Sequence, residues 1–290
     1  FQEGQYLSEN TVKNWLARPN QTSKEPPHEQ GLNPSSLVEG TNKEMDPTVK
    51  AEKAPVYLAH IVEQNYLTKT EDNKVKLGGV SIGLALNSIY YYQKEQYGEF
   101  YEEPIEQAQL EKAGKEIAAE VITRLRARPD LADVPIVIGL FKQEAKNSIV
   151  PGTYFAYAVS NAGGGIGQWE AINERYVTFP MSTPDEVYRE MNTSFQNFKQ
   201  DVDTYFSNFT SVFGTGFYQN NSIQSLEIEI PIQFYGTAEL IGFTQYLTGV
   251  MLNTLPANLA ITVSITSVNG PEALIKKDAS SDEPFVHIYE

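Results

Sequence analysis

The run G-V-S-I-G at residues 79–83 follows the G-x-S-x-G pattern of a hydrolase nucleophile elbow. In an elbow a strand precedes the serine and a helix follows it, because that sharp turn exposes the hydroxyl. After Ser81 the side chains alternate with a period of two, which predicts a strand instead. Asp133 and His287 stand in the chain order of a triad, but any chain of this length offers such a pair. We interpret Ser81 as a strand residue.

A second run, G-G-G-I-G at residues 163–167, follows an apolar segment at 154–159, as a phosphate-binding loop would. The spacing does not fit, because the third glycine of G-x-G-x-x-G would fall on Gln168, and there is no P-loop lysine. We predict a flexible surface loop anchored by Trp169, and no cofactor.

The histidines do not predict a metal site. His28, His60 and His287 are scattered, and only His60 with Glu63 has a helical ligand spacing, whereas a metal ion needs three or four donors. Carboxylates also cluster in the chain, and we interpret them as a solvated face. They are Glu99, Glu102, Glu103 and Glu106.

Aromatic side chains are the feature that favours binding. They surround an acidic insertion at residues 93–109, where they could stack on a sugar or clamp a peptide. Ordinary core and edge packing is the alternative. The candidate ligand-binding residues are Tyr91, Tyr97, Tyr101 and Trp169.

Composition excludes several classes of function. The net charge of −15 repels phosphate backbones, so nucleic acid is not an expected partner. The absence of cysteine excludes disulfides and thiolate chemistry. No apolar run approaches the roughly 20 residues of a membrane-spanning helix. The chain starts at Phe1 without an initiator methionine, which suggests that an upstream segment has been removed.

The elements of the first half follow from its apolar spacing. Residues 1–53 predict an extended, partly docked arm, with a helical turn at 11–17 that directs Trp15 and Leu16 inward. Its prolines should stop any longer helix. Residues 56–67 have helical spacing, 81–91 alternate as a strand, 110–125 form a helix, and 133–141 form a strand buried on both faces.

The second half repeats that order. A helix spans residues 188–212, starting near Thr183 or Pro184, and an alternating strand follows at 225–235, where Pro231 indicates an edge or a bulge. A helix at 237–255 and a strand at 261–265 complete it.

These parallels predict an α+β fold made by internal duplication. Residues 81–91 align with 225–235 at an offset of 144, and 133–141 align with 258–266 at an offset of 125, so the first half carries about 19 extra residues. The predicted parts are an arm at 1–53 and two helix-strand-helix-strand repeats at 54–180 and 181–290, with helices packed on antiparallel or mixed sheets.

Several stretches resemble a known family along nearly the whole chain. They are FQEGQYLS, VYLAHIVEQNY, LGGVSIGLALNSIYYY, DVPIVIGLFKQ, IPIQFYGTAELIGFTQYLTG, NGPEALI and PFVHIY. Together they resemble the CamS-type sex pheromone lipoproteins of Gram-positive bacteria.

The resemblance implies that this chain is the C-terminal portion of a mature lipoprotein at the extracytoplasmic face of the membrane. The signal peptide, which carries a plasmid-transfer pheromone, and the lipidated cysteine would lie outside the chain. The family offers no established catalytic residues, so we expect no enzyme but a body that binds a ligand or an envelope partner. The alternatives are an extracytoplasmic hydrolase of peptide or glycan, using Ser81 or the insertion carboxylates, and a purely structural envelope protein.

Overall fold

A computed structural model describes residues 2–19, 29–205, 211–233 and 236–289. The chain divides into two compact units, unit 1 (Phe1–Ile172) and unit 2 (Asn173–Glu290). The sequence analysis placed this division after residue 180. The structure assigns residues 174–179 to the second unit, because they form a strand that pairs within its sheet.

Unit 1 contains the arm, two long strands, a short hairpin, a crossover helix and three further strands. Its elements are β1 (Gln2–Glu3), α1 (Glu9–Leu16), α2 (Pro47–Lys53), β2 (Leu58–Lys69), β3 (Val75–Asn87), β4 (Ile89–Gln93), β5 (Phe100–Pro104), α3 (Gln107–Arg126), β6 (Ile136–Gln143), β7 (Gly152–Ser160) and β8 (Trp169–Ala171). A 3-10 turn (Pro129–Leu131) follows α3.

The sheet of unit 1 has the strand order β1-β2-β3-β6-β7-β8, and β4 and β5 form a separate hairpin. The pair β3 and β6 is parallel, and its neighbours on both sides are antiparallel. A parallel pair needs a crossover connection, which α3 supplies. Residue Gly114 of α3 lies so close to the sheet that a Cβ there would come within 2.6 Å of Leu86 Cδ1.

The helix predicted at residues 56–67 is wrong, because β2 occupies this segment and pairs along β3 from Leu58 to Lys69. Glu63 and Asn65 are buried while Val62 and Gln64 are exposed, which is the alternation of a strand. Long cross-strand pairing here overrides the apolar spacing that is typical of a helix.

The predicted docking of the arm is confirmed, and polar contacts carry much of it. α1 starts with Ser8, whose hydroxyl accepts a hydrogen bond from the Thr11 amide, and Trp15 on α1 is buried. The carboxylate of Glu63 accepts hydrogen bonds from three successive backbone amides, those of residues 5–7, at 2.7–3.2 Å. A second short helix, α2, was not predicted; Pro47 occupies its first turn, where proline is favourable.

Unit 2 repeats the sheet with fewer additions. Its elements are β9 (Glu174–Phe179), α4 (Glu186–Tyr205), β10 (Phe213–Gln219), β11 (Ser222–Pro231), α5 (Thr237–Thr254), β12 (Ala260–Ser267), β13 (Gly270–Lys277) and β14 (Phe285–Ile288). The strand order is β14-β13-β12-β11-β10-β9, and β11 and β12 are the parallel pair.

The predicted helices and the last predicted strand of unit 2 are confirmed as α4, α5 and β12. α4 ends at Tyr205; residues 206–210 of the predicted helix lie outside the described residues, and residues 211 and 212 are not helical. β11 ends at Pro231, and the last two residues of the predicted strand, Phe234 and Tyr235, lie outside the described residues. The edge position predicted from Pro231 is wrong, because β11 lies between β10 and β12 and Pro231 is its last residue.

Both units bury one face of the sheet against helices, which confirms the α+β class. In unit 2 the chain runs strand, helix, two strands, helix, three strands around a central parallel pair, and unit 1 follows the same order with α2 and the β4–β5 hairpin added. The two predicted alignments make Leu226 the counterpart of Ile82 and Val263 the counterpart of Ile138. Ile82 pairs with Ile138, but Leu226 pairs with Ile261, so the alignments disagree by two residues. A shift of two preserves the face of every side chain, and duplication itself stays a prediction.

Candidate ligand-binding groove

The sheet face of unit 1 that points away from the helices is the candidate site. Along β3 and β6 the large apolar residues, such as Leu84 and Ile138, face the helices and are buried. The residues between them are small or partly exposed, and Val137 on β6 is 38% exposed. The predicted burial of residues 133–141 on both faces is therefore wrong, because Val137 and Gly139 on the second face are not buried.

Two glycines make the middle of this face shallow. A Cβ on Gly83 would lie 2.9 Å from the Tyr154 hydroxyl, and a Cβ on Gly139 would lie 3.0 Å from Tyr154 Cε1. The ring of Tyr154 therefore lies across both glycines, and it meets Phe141 edge to face at 5.2 Å between centroids.

An open groove of about 660 Å³ lies beside the Tyr154 ring. We call it the open-face groove; its floor and walls come from four adjacent strands and from the connection at residues 144–151. The groove is lined by His60, Val62, Gly83, Ala85, Phe141 and Tyr154, and by residues 143–146 and 148–151, which include Gln143, Glu144, Lys146 and Ile149. A smaller depression of about 260 Å³ lies on the same face, shares Gly83 and Tyr154, and is lined also by Ser81, Val137 and Tyr157.

Two added segments meet at one end of this groove. The hairpin at 89–104 follows the carboxyl end of β3, and the connection at 144–151 follows the carboxyl end of β6. Lys146 joins them: its amide donates a hydrogen bond to the Tyr91 hydroxyl at 3.1 Å, and its Nζ lies 4.2 Å from the Tyr91 ring centroid. Ligands of open α/β sheets commonly bind at the carboxyl ends of parallel strands.

Unit 2 lacks the corresponding connection. Val268 and Asn269 alone join β12 to β13, where unit 1 has eight residues between β6 and β7. The flanking pairs correspond, since Gln143 pairs with Gly152 as Ser267 pairs with Gly270. Both glycines have positive φ, of 127° and 131°. The connection at 144–151 is thus an addition to a common strand pair.

The structure does not bring the four predicted aromatic residues together. Tyr91 pairs across the hairpin with Glu102, whereas Tyr101 pairs with Tyr92, so Tyr91 and Tyr101 point to opposite faces. Tyr97 is 91% exposed in the hairpin turn. Trp169 packs against the helix-side core of unit 1, with Lys115 Nζ 5.8 Å from the ring. Only Tyr91 borders the end of the groove, through Lys146.

Ser81 lies in the middle of β3, paired with Gln64 and Val137, and not at a strand-to-helix turn. His287, its supposed partner, lies on β14 of unit 2. The sequence-based interpretation of Ser81 as a strand residue is confirmed.

Hydrogen bonds from Arg126 hold the glycine run at 163–167 and the residues before it. The flexibility expected for this loop stays a prediction. The guanidinium of Arg126, at the end of α3, donates to the carbonyl oxygens of Gly164 and Asn161 and to both the carbonyl and the hydroxyl of Ser160. It also donates to the carbonyls of residues 131, 132 and 134. Burial lowers the pKa of Arg126, while nearby Asp133 acts in the opposite direction.

His60 and Glu63, whose spacing would suit two metal ligands on a helix, do not come together in the structure. On the strand that replaces the predicted helix, His60 lies in the open-face groove and Glu63 is buried against the arm. His28 lies outside the described residues. Within the described ranges no group of three histidine, aspartate or glutamate side chains could hold a metal ion. Glu102 and Glu103 are cross-strand partners of Tyr91 and Tyr90.

Two further polar groups belong to this face. Gln143 carries a buried side-chain oxygen that accepts no hydrogen bond from the described residues. The Tyr157 hydroxyl donates to Glu170 Oε2 at 2.5 Å, and this hydrogen bond raises the pKa of Tyr157.

The groove was missed at the sequence level, although the small residues Gly83, Ala85 and Gly139 between large apolar ones were a visible signal. The described part of the chain also holds no helix long and apolar enough to cross a membrane.

Comparison with known proteins gives concordant results. A family profile described as CamS sex pheromone cAM373 precursor matches residues 1–283. A sex pheromone precursor from Lactobacillus salivarius subsp. salivarius UCC118 has a similar structure, with 32% identity, TM-score 0.83, and coverage of 99% of this chain and 80% of that chain. The C-terminal domain of the sex pheromone staph-cAM373 precursor from Staphylococcus aureus gives 31% identity, TM-score 0.80, and coverage of 100% and 89%. No curated protein matches the sequence.

Proposed function

The chain belongs to the CamS family of sex pheromone precursors, and from this premise we propose that it is the ligand-binding body of a lipid-anchored surface protein. In this proposal the pheromone peptide and the lipid-bearing cysteine lie in an upstream segment. The body itself binds a ligand or partner in the open-face groove of unit 1 and performs no chemistry.

The observation that carries the proposal is where unit 1 departs from unit 2. The hairpin at 89–104 and the connection at 144–151 both lie at the carboxyl ends of the central parallel pair, and they contact each other through Lys146 and Tyr91. Neither is needed to complete the sheet, since β12 and β13 join through two residues. Their position beside an apolar groove supports a role in recognition.

Binding fits the groove better than catalysis. Its volume of about 660 Å³ lies in the usual range for small-ligand sites. Its polar lining residues, such as His60 and Lys146, stand at the edges of an apolar floor. Ser81 borders the neighbouring depression but lacks the elbow that exposes a nucleophile.

The direct test is to fill the groove. Ala85→Trp places a large ring on its floor, and the matched variant Glu229→Trp places the same ring on the corresponding strand of unit 2, on an exposed face. We expect fragments detected by ligand-observed NMR to bind the native chain and Glu229→Trp, and to lose at least about tenfold in affinity for Ala85→Trp.

Equal binding by both variants would place the ligand site elsewhere, and the absence of any bound fragment on the native chain would overturn the proposal. Circular dichroism and thermal unfolding of each variant separate lost binding from lost folding.

The anchoring part of the proposal needs the full-length gene product. We expect radiolabelled palmitate to enter the full-length protein at a cysteine upstream of this segment, and a Ser substitution of that cysteine to release the protein from membranes. A full-length product that takes up no label would contradict this part while leaving the groove untouched.

A further inference from the structure

We propose that the open-face groove takes the carboxyl-terminal residues of a short apolar peptide, and that Lys146 Nζ binds the terminal carboxylate. This inference rests on the proposed function and adds the chemical class of the ligand.

The charge of the groove points to an anionic ligand group. The lining of the groove contains Lys146 and one carboxylate, Glu144, in a chain whose net charge is −15. Lys146 Nζ lies 4.2 Å from the Tyr91 ring centroid and 5.9 Å from that of Phe100. Within residues 2–19, 29–205, 211–233 and 236–289 no carboxylate lies within ion-pair distance of it. Two aromatic faces hold the ammonium group in place without neutralising it.

The floor of the groove points to apolar side chains. Val62 is 63% exposed and Ile149 is 72% exposed, and both line the groove together with Ala85, Phe141 and Tyr154. Apolar side chains exposed together on one patch commonly mark a binding surface. A ligand that covers them recovers the free energy of apolar burial, at roughly 25 cal/mol per Å².

The length of the groove matches about four residues. It crosses β2, β3, β6 and β7, which lie side by side in the sheet. Three strand spacings of about 4.8 Å give roughly 14 Å. An extended chain covers about 3.3–3.6 Å per residue, so four residues span that distance.

The openness of the groove favours a peptide over an acyl chain. A ligand lying on the exposed sheet face keeps one side in water. A peptide can turn its polar backbone to that side, whereas an acyl chain would leave methylene groups there. Gln143 and Ser148 line the groove and offer polar partners for a peptide backbone. The side-chain oxygen of Gln143 has no hydrogen-bond donor in the described structure, so rotation of this amide toward the groove would satisfy it.

The experiment compares two pools of N-acetylated tetrapeptides built from Ala, Val, Leu, Ile and Phe, one with free carboxyl termini and one amidated. Each pool is equilibrated with the chain by dialysis, and bound peptide is quantified by mass spectrometry. We expect at least about tenfold enrichment of the free-acid pool over the amidated pool, since a charge-assisted hydrogen bond is lost with the carboxylate. Lys146→Gln should remove this preference but retain weak binding of both pools.

The matched control is Lys74→Gln, because Lys74 lies in the turn between β2 and β3 at the opposite end of the same strands. It removes an equal charge and should leave the preference unchanged. Equal loss in both variants would mean that net charge and not Lys146 is responsible, which would overturn the inference.

Dodecanoate is the third probe. Tighter binding of dodecanoate than of the free-acid peptides, with the same dependence on Lys146, would overturn the peptide assignment. Peptide binding without carboxylate preference would also overturn the inference but keep the proposed function. If neither pool binds although fragments occupy the groove, the inference fails alone, and if no fragment binds either, both proposals fail.

Discussion

The two units share the order of their sheet strands, with α2 and the β4–β5 hairpin added in unit 1, but differ on the sheet face that points away from the helices. In unit 1 this face has a floor of Gly83, Ala85 and Gly139 beneath aromatic rings, with an added connection at one end. In unit 2 the corresponding strands carry Glu227 and Glu229, and hydroxyl residues of β12 lie beside them. An aromatic pair, Tyr176 and Phe217, occupies another part of the unit 2 face at 5.2 Å.

This difference distinguishes the residues that the fold needs for packing from the residues that vary between the two units. Both helix-covered faces bury large apolar residues, because packing there stabilises the sheet. The uncovered faces are free of that demand, so one has become polar and the other apolar. An apolar face that packing against the helices of its own unit does not require is the basis of the binding proposal.

The largest expected effect concerns the helix-covered faces. Phe195→Ala in unit 2 should lower the free energy of unfolding by about 3–5 kcal/mol, and Leu84→Ala in unit 1 by about 2–5 kcal/mol, because both side chains are fully buried. Hydrogen exchange of the amides of β11 and β3 measures each effect locally. Phe285→Ala and Val62→Ala remove exposed side chains and should cost less than about 1 kcal/mol. Comparable losses for exposed and buried sites would refute the division between faces.

The next effect concerns a cation in each unit that donates hydrogen bonds to backbone carbonyls, half-buried Arg126 in unit 1 and buried Lys277 in unit 2. Arg126 in unit 1 donates to the carbonyls of the α3–β6 connection, and Lys277 in unit 2 donates to the carbonyls of Ala257 and Leu259 in the α5–β12 connection. Arg126→Met should cost about 2–4 kcal/mol and Lys277→Met about 1–3 kcal/mol, because carbonyls lose a charged donor. Chemical denaturation measures both.

The controls for these cations are neighbouring residues of the same type, half-buried Arg128 and exposed Lys276, for which the structure shows no side-chain hydrogen bond within the described residues. Arg128→Met and Lys276→Met should change stability by less than about 0.5 kcal/mol. If Arg126→Met proved as mild as Arg128→Met, the hydrogen-bond network around Arg126 would not stabilise unit 1.

A loop exchange tests whether the rim of the groove serves binding alone. Replacing residues 144–151 with Val-Asn copies the connection of unit 2 between equivalent strand pairs. We expect the free energy of unfolding to change by at most about 1 kcal/mol, since a shorter loop offsets lost contacts. Fragment and peptide binding should disappear, as measured by NMR and dialysis. Retained binding would show that the connection is not part of the site.

The smallest effect distinguishes two buried tyrosines. Gln109 donates to the Tyr57 hydroxyl at 2.6 Å in unit 1, whereas the Tyr218 hydroxyl in unit 2 has no partner among the described residues. Tyr57→Phe should therefore cost about 0.5–1.5 kcal/mol, while Tyr218→Phe should be neutral or slightly stabilising. Thermal unfolding at neutral pH measures both. A clear loss for Tyr218→Phe would reveal an unrecognised hydrogen bond.

The same tyrosine predicts a pH dependence. Burial, with a smaller contribution from Tyr188, raises the pKa of Tyr218 to about 12, above the ordinary value near 10. The folded state thus holds the proton more tightly than the unfolded state. Its contribution to stability is complete below about pH 10 and is lost as the pH rises toward 12. Tyr218→Phe should remove this part of the alkaline destabilisation, as measured by denaturation across that range.

Strong periodicity was enough to predict much of the fold. The apolar spacing of α4 and α5 and the alternation of β12 gave correct elements, because these patterns follow directly from burial of one face. The helix predicted from the spacing at residues 56–67 was wrong, since pairing with β3 holds residues 58–69 in a strand. Which side chains of neighbouring strands lie side by side on one sheet face depends on strand register, and a local sequence pattern does not specify register.

The open-face groove was harder to predict from the sequence, because it also depends on how distant strands and connections pair. The insertion at 93–109 was recognised as an addition, and Tyr91 was correctly placed near it. The opposite orientation of Tyr91 and Tyr101 follows from the pairing of Tyr91 with Glu102, which only the folded hairpin reveals. Lys146 offered no signal at all, because its importance comes from contact between two connections distant in sequence.

The parallel pair at the centre of each sheet also has a consequence for the order of folding. In unit 1 this pairing joins Val80 to Ile136, and in unit 2 it joins Ser225 to Ala260, which is a shorter separation along the chain. Closing a longer loop costs more entropy and slows the formation of distant contacts. We therefore expect unit 2 to complete its sheet before unit 1. The apolar face would then be the last surface assembled during folding, and pulse-labelling hydrogen exchange can follow that order.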